Sequence, residues 1–132
     1  MLAIRQVASA LALAAVVAPA AAVGLGPLTA SGTTRSERKG FYLVLVNPFP
    51  RAERFRLYSA EWDNERPVAR VLIPVAMPMV AAKSQRRVLV IDTGLKPGEE
   101  HSFRVCAERA DRSQEGMIHA RVCSKLIARR VA

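Results

Sequence analysis

From residue 41 onward, apolar residues come in short runs cut by turn-forming clusters. Residues 41–46 (FYLVLV) form an unbroken apolar run stopped by Asn47-Pro48-Phe49-Pro50, which predicts a fully buried strand followed by a turn. Residues 54–62 (RFRLYSAEW) alternate, with Phe55 and Leu57 on one face and Arg54 and Arg56 on the other. Tyr58, Ala60 and Trp62 then take the apolar role with opposite parity, which a bulge or an edge position would explain. Residues 63–67 read as a turn, 68–73 as a strand ended by Pro74 and Pro78, and 86–92 as the next strand. A tight corner at 94–98 (GLKPG) precedes strands over 100–109 and 117–128. Residues 23–40, rich in Gly, Thr, Ser and charge, read as a flexible lead-in with one weak edge strand near 28–34. No segment needs to be a long amphipathic helix. The pattern predicts an all-β domain over 41–132, an immunoglobulin-like antiparallel β-sandwich of about seven strands, without internal repeat or second domain.

The last two strands set a testable register. In 100–109, Phe103, Val105 and Ala107 share one face, and Ser102, Arg104, Cys106 and Glu108 share the other. In 117–128, Ile118, Ala120, Val122 and Leu126 form the apolar face, opposite His119, Arg121, Cys123 and Lys125. Placing Cys106 opposite Cys123 also sets Phe103 against Leu126, Ala107 against Val122 and Glu108 against Arg121, and centres the loop on Ser113 and Gln114. The pair is expected to form a disulfide; two free thiols are the alternative, since a slip of register separates them.

Compartment enters with the first residues. Arg5, an apolar stretch over 7–17 and small residues ending at Ala20-Ala21-Ala22 follow the order of a secretory signal, so residues 1–22 are expected to be a signal peptide cleaved after Ala22. An uncleaved anchor is the alternative, because apolar character continues with interruptions to Leu28. The expected location is periplasmic or secreted, where a cysteine pair is a structural staple.

Charge adds a surface question. The 132 residues carry 20 Lys plus Arg against 11 Asp plus Glu, a formal net charge of +9. Arg86, Arg87, Arg121, Lys125, Arg129 and Arg130 are the candidate basic face for a partner, and outward solvation is the plainer reading of each. Aromatics make up only 5% and are not interleaved with the cations, so no nucleic-acid partner is expected. His101 and His119 stand in no zinc pattern, and Glu99 and Glu100 alternate sides, so neither a metal site, a cofactor site nor a catalytic pair is expected.

Residues 95–105 (LKPGEEHSFRV) resemble the corner and following strand of fibronectin type III domains, where a Leu-x-Pro-Gly turn precedes a tyrosine whose hydroxyl ties the corner; His101 stands in its place. A second resemblance spans more chain. The buried strand, Asn47, the polar strand, Pro74 and Pro78, residues 84–90 (SQRRVLV) and the Leu-x-Pro-x-Glu corner are similar to the N-terminal domain of periplasmic pilus chaperones, itself immunoglobulin-like. That resemblance implies an alternating final strand, here Ile118, Ala120, Val122 and Leu126, lent to a subunit lacking its own last strand, and basic residues that hold the subunit's terminal carboxylate. The chain departs from the family in having no second domain, no Pro-Gly before the Gln85 strand and no assignable initial-strand arginine. The expected function is a non-catalytic, chaperone-like or protein-binding module of the periplasm. The alternative is a structural envelope protein that contacts anionic polymer or lipid through its basic surface.

Overall fold

The computed structural model describes residues 23–113, 115–117 and 119–132. The signal-peptide expectation for 1–22, the loop-centre role of Gln114 and the face assigned to Ile118 lie outside those residues. The strands are β1 (Gly24–Gly26), β2 (Thr29–Thr34), β3 (Lys39–Val46), β4 (Glu53–Glu61), β5 (Val71–Leu72), β6 (Met79–Val80), β7 (Gln85–Asp92), β8 (Glu100–Arg109) and β9 (Arg121–Arg130). They form two sheets, ordered β1-β3-β7-β5 and β2-β9-β8-β4-β6. This is the expected immunoglobulin-like sandwich. One pairing departs from the antiparallel rule, because β2 runs parallel to β9.

The stretch expected as a flexible lead-in belongs to the sandwich. Its edge strand at 29–34 was expected; Val23 and Leu25, placed in the lead-in, are buried in the core. β1 pairs with β3 in one sheet and β2 with β9 in the other, so the chain crosses between sheets at the cis Gly26-Pro27 bond. This split first strand closes one side of the sandwich with both sheets.

Two expectations about burial need correction. The apolar run of β3 is not buried on both faces: Phe41, Leu43 and Leu45 enter the core, while Tyr42 and Val46 face solvent. In β4 the pairing with β8 runs without a break from Phe55 to Glu61, so no bulge causes the parity switch. Phe55 and Leu57 point inward, and Tyr58 and Ala60 remain on the outer side, where Ala60 is nevertheless fully buried. The proline-rich crossover supplies only the two-residue strands β5 and β6 in place of a strand over 68–73. The last strand begins at Arg121, four residues later than expected, and continues to Arg130.

The core is built on Phe55, Phe103, Leu43, Leu45, Leu126 and Val105, with Phe41 meeting Phe103 edge-on at 6.2 Å. Near one end, Arg109 lies beneath the Phe49 ring at 4.1 Å and donates to Glu53 at 2.7 Å. Burial raises the Glu53 pKa, but hydrogen bonds from Arg51 and Arg109 outweigh it and hold the carboxyl below the usual glutamate value.

Candidate functional site

The β8–β9 ladder carries the expected register at every pair: Cys106 faces Cys123, Phe103 faces Leu126, Ala107 faces Val122 and Glu108 faces Arg121. The cysteines are joined, with Cα atoms 4.0 Å apart. That short spacing belongs to a non-hydrogen-bonded pair, whose side chains stand close together. The polar-face reading of the cysteines is right in parity but not in environment, for Cys106 is fully buried. Tyr58 lies opposite Cys106, so Tyr58, Cys106 and Cys123 form one row across β4, β8 and β9. This row accounts for the apolar parity switch in β4.

A clasp covers the row. Arg104 donates to the carbonyls of Glu61 (2.9 Å) and Asn64 (2.7 Å), which folds the turn after β4 over the outer face. Arg121 then holds Glu65 with both terminal nitrogens, at 2.7 and 2.9 Å, and reaches the Tyr58 hydroxyl at 3.0 Å. The guanidinium fork thus meets a carboxylate on the turn, not its strand neighbour Glu108 as expected. Glu108 bonds Arg56 at 3.0 Å and Arg112 instead. Hydrogen bonds from Arg121 and then Arg104 hold the Glu65 pKa at about 2, below its ordinary 4.5. A carboxylate depressed in the folded state contributes stability above its unfolded pKa and loses it on acidification. The clasp is therefore expected to be intact above pH 4.5 and to open as the pH falls toward about 2. Side-chain NMR of Arg121 and Tyr58 checks this, and Glu65→Gln should loosen the clasp at neutral pH and flatten the titration.

The outer edge of β9 is only partly covered. β2 pairs with Lys125 through Arg130, the Lys125 N–H donates to the Leu28 carbonyl at 2.7 Å, and the Ser124 hydroxyl donates to the Pro27 carbonyl. Before that point, no described strand pairs with the outer edge of Arg121–Ser124. Because the cysteines form a non-hydrogen-bonded pair, alternation turns the N–H and C=O of Arg121 and Cys123 away from β8 and toward this open edge. The outward Lys125 N–H, two residues on, has the same parity.

Of the apolar residues expected to line that edge, the described ones do not line it. Leu126 is fully buried and sits opposite Ala30 of β2, Val122 packs partly buried against the core, and Ala120 is half-buried. The parity of Val122 and Leu126 points them between the sheets, so the edge offers backbone groups and not an apolar row.

The six cations of the expected basic face are divided between the sheets. Arg86 and Arg87 are on β7: the first donates to the Met79 carbonyl at 3.2 Å, and the second lies over the Tyr42 ring at 5.3 Å. On β9, Arg121 holds Glu65, Lys125 lies 5.2 Å from the Trp62 ring centre, and Arg129 donates to Glu100 at 2.7 Å. Arg130 has inward parity and donates to the Leu95 carbonyl at 2.8 Å. Arg121, Lys125 and Arg129 share one outer face; the other three do not join it.

At the corner, His101 makes a tie of its own to a side-chain carboxylate. Its Nδ1 lies 2.8 Å from Oδ2 of the fully buried Asp92, whose Oδ1 accepts from Arg70 at 3.2 Å, and its ring stacks on Phe103. An imidazole–carboxylate contact therefore ties the end of β7 to the start of β8. Sequence reasoning missed Asp92 and Arg70 because their partners are distant in sequence. Among the described residues, no group of three or more His, Cys, Asp or Glu is placed to hold a metal ion. A surface groove of about 570 Å³ beside Tyr58 is lined by Arg56, Glu65, Glu108 and Arg112, whose charges are already paired.

The split first strand, the parallel β2–β9 contact and the two-sheet order define a PapD-like immunoglobulin sandwich. Among solved structures, the chain is similar to the Escherichia coli chaperone DraB, with a TM-score of 0.65 and 16% identity over 83% of this chain and 55% of that one. It is similar to a chain of the Salmonella enterica SafA pilin–SafB chaperone complex, at 0.68 and 21% over 85% and 56%. It also resembles a PapD-like domain of human CEP192, at 0.62 and 12% over 84% and 86%. The chain thus spans a little over half the length of the chaperones and most of the human domain. No family model matches the sequence, and no curated protein matches it.

Proposed function

We propose that this protein is an exported, non-catalytic, chaperone-like module that binds a protein partner by strand addition at the open edge of β9. The observation that carries this reading is the pair of unpaired backbone positions, Arg121 and Cys123, at the only stretch of β9 that β2 leaves uncovered among the described residues. Strand addition draws its affinity from such main-chain groups. The chaperones SafB and CsuC, whose complexes contain a pilin and a tip adhesion subunit, support a protein partner. The signal-like order of residues 1–22, the buried disulfide and the periplasmic chaperone SfaE among similar structures support periplasmic export. Contact with anionic polymer or lipid has less support, since the cations are split between sheets and several are already paired.

Capture from envelope extract tests the reading. Arg121→Pro removes an outward N–H at the first residue of β9, a strand position where proline is tolerated and where β2 does not pair, and leaves the ladder to β8 intact. Arg121→Ala removes the side chain and keeps the N–H. Partner binding is expected to weaken about tenfold more for the proline variant than for the alanine variant. Equal binding by the two would place the contact in side chains and remove the strand-addition reading.

A further inference from the structure

On the outer face of the β2-β9-β8-β4-β6 sheet most of the charges are matched. Arg56 bonds Glu108, Arg121 holds Glu65 and Arg129 donates to Glu100. Lys125, which lies between Arg121 and Arg129 in the outer parity of β9, has no carboxylate partner among the described residues. Its ammonium stands over the Trp62 ring instead, 5.2 Å from the centre. Alternation puts Thr29 and Ser31 of β2 on the same face, because Ala30 between them sits opposite the buried Leu126. Thr29 is level with Lys125 and Ser31 with Ile127, and both hydroxyl residues are exposed. Trp62, the residue after β4, is 40% exposed. These side chains line a groove of about 270 Å³, in which the Trp62 ring and Ile127 are the apolar part and Lys125, Thr29 and Ser31 the polar part.

We propose that this groove is a binding site for an acidic sugar, a single pyranose ring that carries a carboxylate. Each part of the lining selects a part of that chemistry. The indole face is flat and electron-rich, so it attracts the partly positive C–H groups on one face of a sugar ring. The two hydroxyls donate and accept, as a polyol requires, and a plain aromatic acid would leave them without partners. The ammonium supplies a charge-assisted bond to one anionic group. Having no carboxylate of its own among the described residues, Lys125 breaks no ion pair in doing so, whereas Arg121 and Arg129 would each have to. Its position over the ring restricts the side chain before any ligand arrives, so less freedom is lost on binding than for a lysine that moves freely. Size limits the ligand. Sites for drug-sized molecules run from about 300 to 1,000 Å³, and this groove, just below that range, fits one ring.

The groove lies beside the part of β9 that β2 covers and does not use the open edge at Arg121–Ser124, so this proposal stands or falls separately from the strand-addition reading. Trp62 is the chain's one tryptophan, so its fluorescence in the full chain, produced in an exporting host, reports on this groove directly. Titration with glucuronate, galacturonate and N-acetylmuramate over roughly 0.1–50 mM at constant ionic strength tests the proposal. At least one of the three acids is expected to give a saturable change with a Kd of about 1 mM, about tenfold or more tighter than glucose or benzoate. Lys125→Gln should weaken binding of that acid about tenfold and leave glucose unchanged, and Ser31→Ala should weaken both sugars about threefold. Arg87→Gln, on the other sheet, removes the same charge and should change neither. Circular dichroism melting checks that each variant is folded. The absence of a saturable change with all three acids would overturn the proposal. Equal binding of glucose or of benzoate would also overturn it, as would an affinity indifferent to Lys125→Gln.

Discussion

Replacing Cys106 and Cys123 together with alanine is expected to lower stability by about 3 kcal/mol, the cost of releasing a loop of this size in the unfolded chain. The two residues are 17 apart in sequence, so the bond removes a short but real span of unfolded freedom. In a domain near 100 residues that loss corresponds to a fall in Tm of about 15 °C, measurable by calorimetry. Alanine is chosen because Cys106 is fully buried and a serine hydroxyl there would need a partner. The β8–β9 register should survive, since Phe103 against Leu126 and Ala107 against Val122 hold it independently. A loss below about 1 kcal/mol would mean that the unfolded chain is already restricted across this hairpin.

The second large effect is expected at Asn47. Its fully buried amide donates to the carbonyls of Arg51 (2.9 Å), Val80 (3.0 Å) and Ala81 (3.1 Å), and its Oδ1 accepts from the Phe49 N–H at 2.9 Å. One side chain therefore joins the turn after β3 to the segment after β6. Asn47→Ala strands a donor and several acceptors in the interior and should cost about 2 kcal/mol or more by urea unfolding. Asn47→Asp should cost at least as much, because a carboxylate keeps the Phe49 contact but turns acceptors toward three carbonyls. An alanine variant as stable as the parent would contradict this account of the turn.

Much of the fold was legible because the strands that alternate do so for one reason, burial on one side. The hairpin of β8 and β9 shows this best. Its register followed from matching Cys106 to Cys123 and apolar to apolar, and every other pair fell into place. Three things were not legible. An unbroken run such as FYLVLV looks the same whether both faces are buried or whether the outer face stays apolar and exposed, because sequence records hydrophobicity and not what covers it. The parity switch at Tyr58 and Ala60 suggested a bulge or an edge position; the backbone is regular, β6 pairs with β4 only at Glu53 and Arg54, and the outer side at that row is covered by the disulfide and by a turn folded back through Arg104. β6 was hidden by Pro74 and Pro78, since a two-residue edge strand needs few N–H groups.

The site was less legible than the fold. The six cations were read as a face, but neighbours in sequence on β7 point to opposite sides, and strands of different sheets cannot share an outer surface. The apolar residues of the last strand were read as an edge, yet the inward parity of Val122 and Leu126 commits both to the core. What remained was invisible to side-chain patterning: backbone groups left bare where β2 stops pairing at Lys125. That coverage depends on how the first strand splits between sheets, and the glycine-rich composition of residues 24–34 gave no sign of it.

Residue-resolved amide hydrogen exchange across β9 tests the free edge most directly. In the protein alone, Val122 and Ser124, which bond to β8, should exchange slowly, while Arg121 and Cys123 should exchange fast, and a bound partner strand should protect the latter pair. Uniform slow exchange at all four amides without a partner would show the edge already closed and would contradict the account.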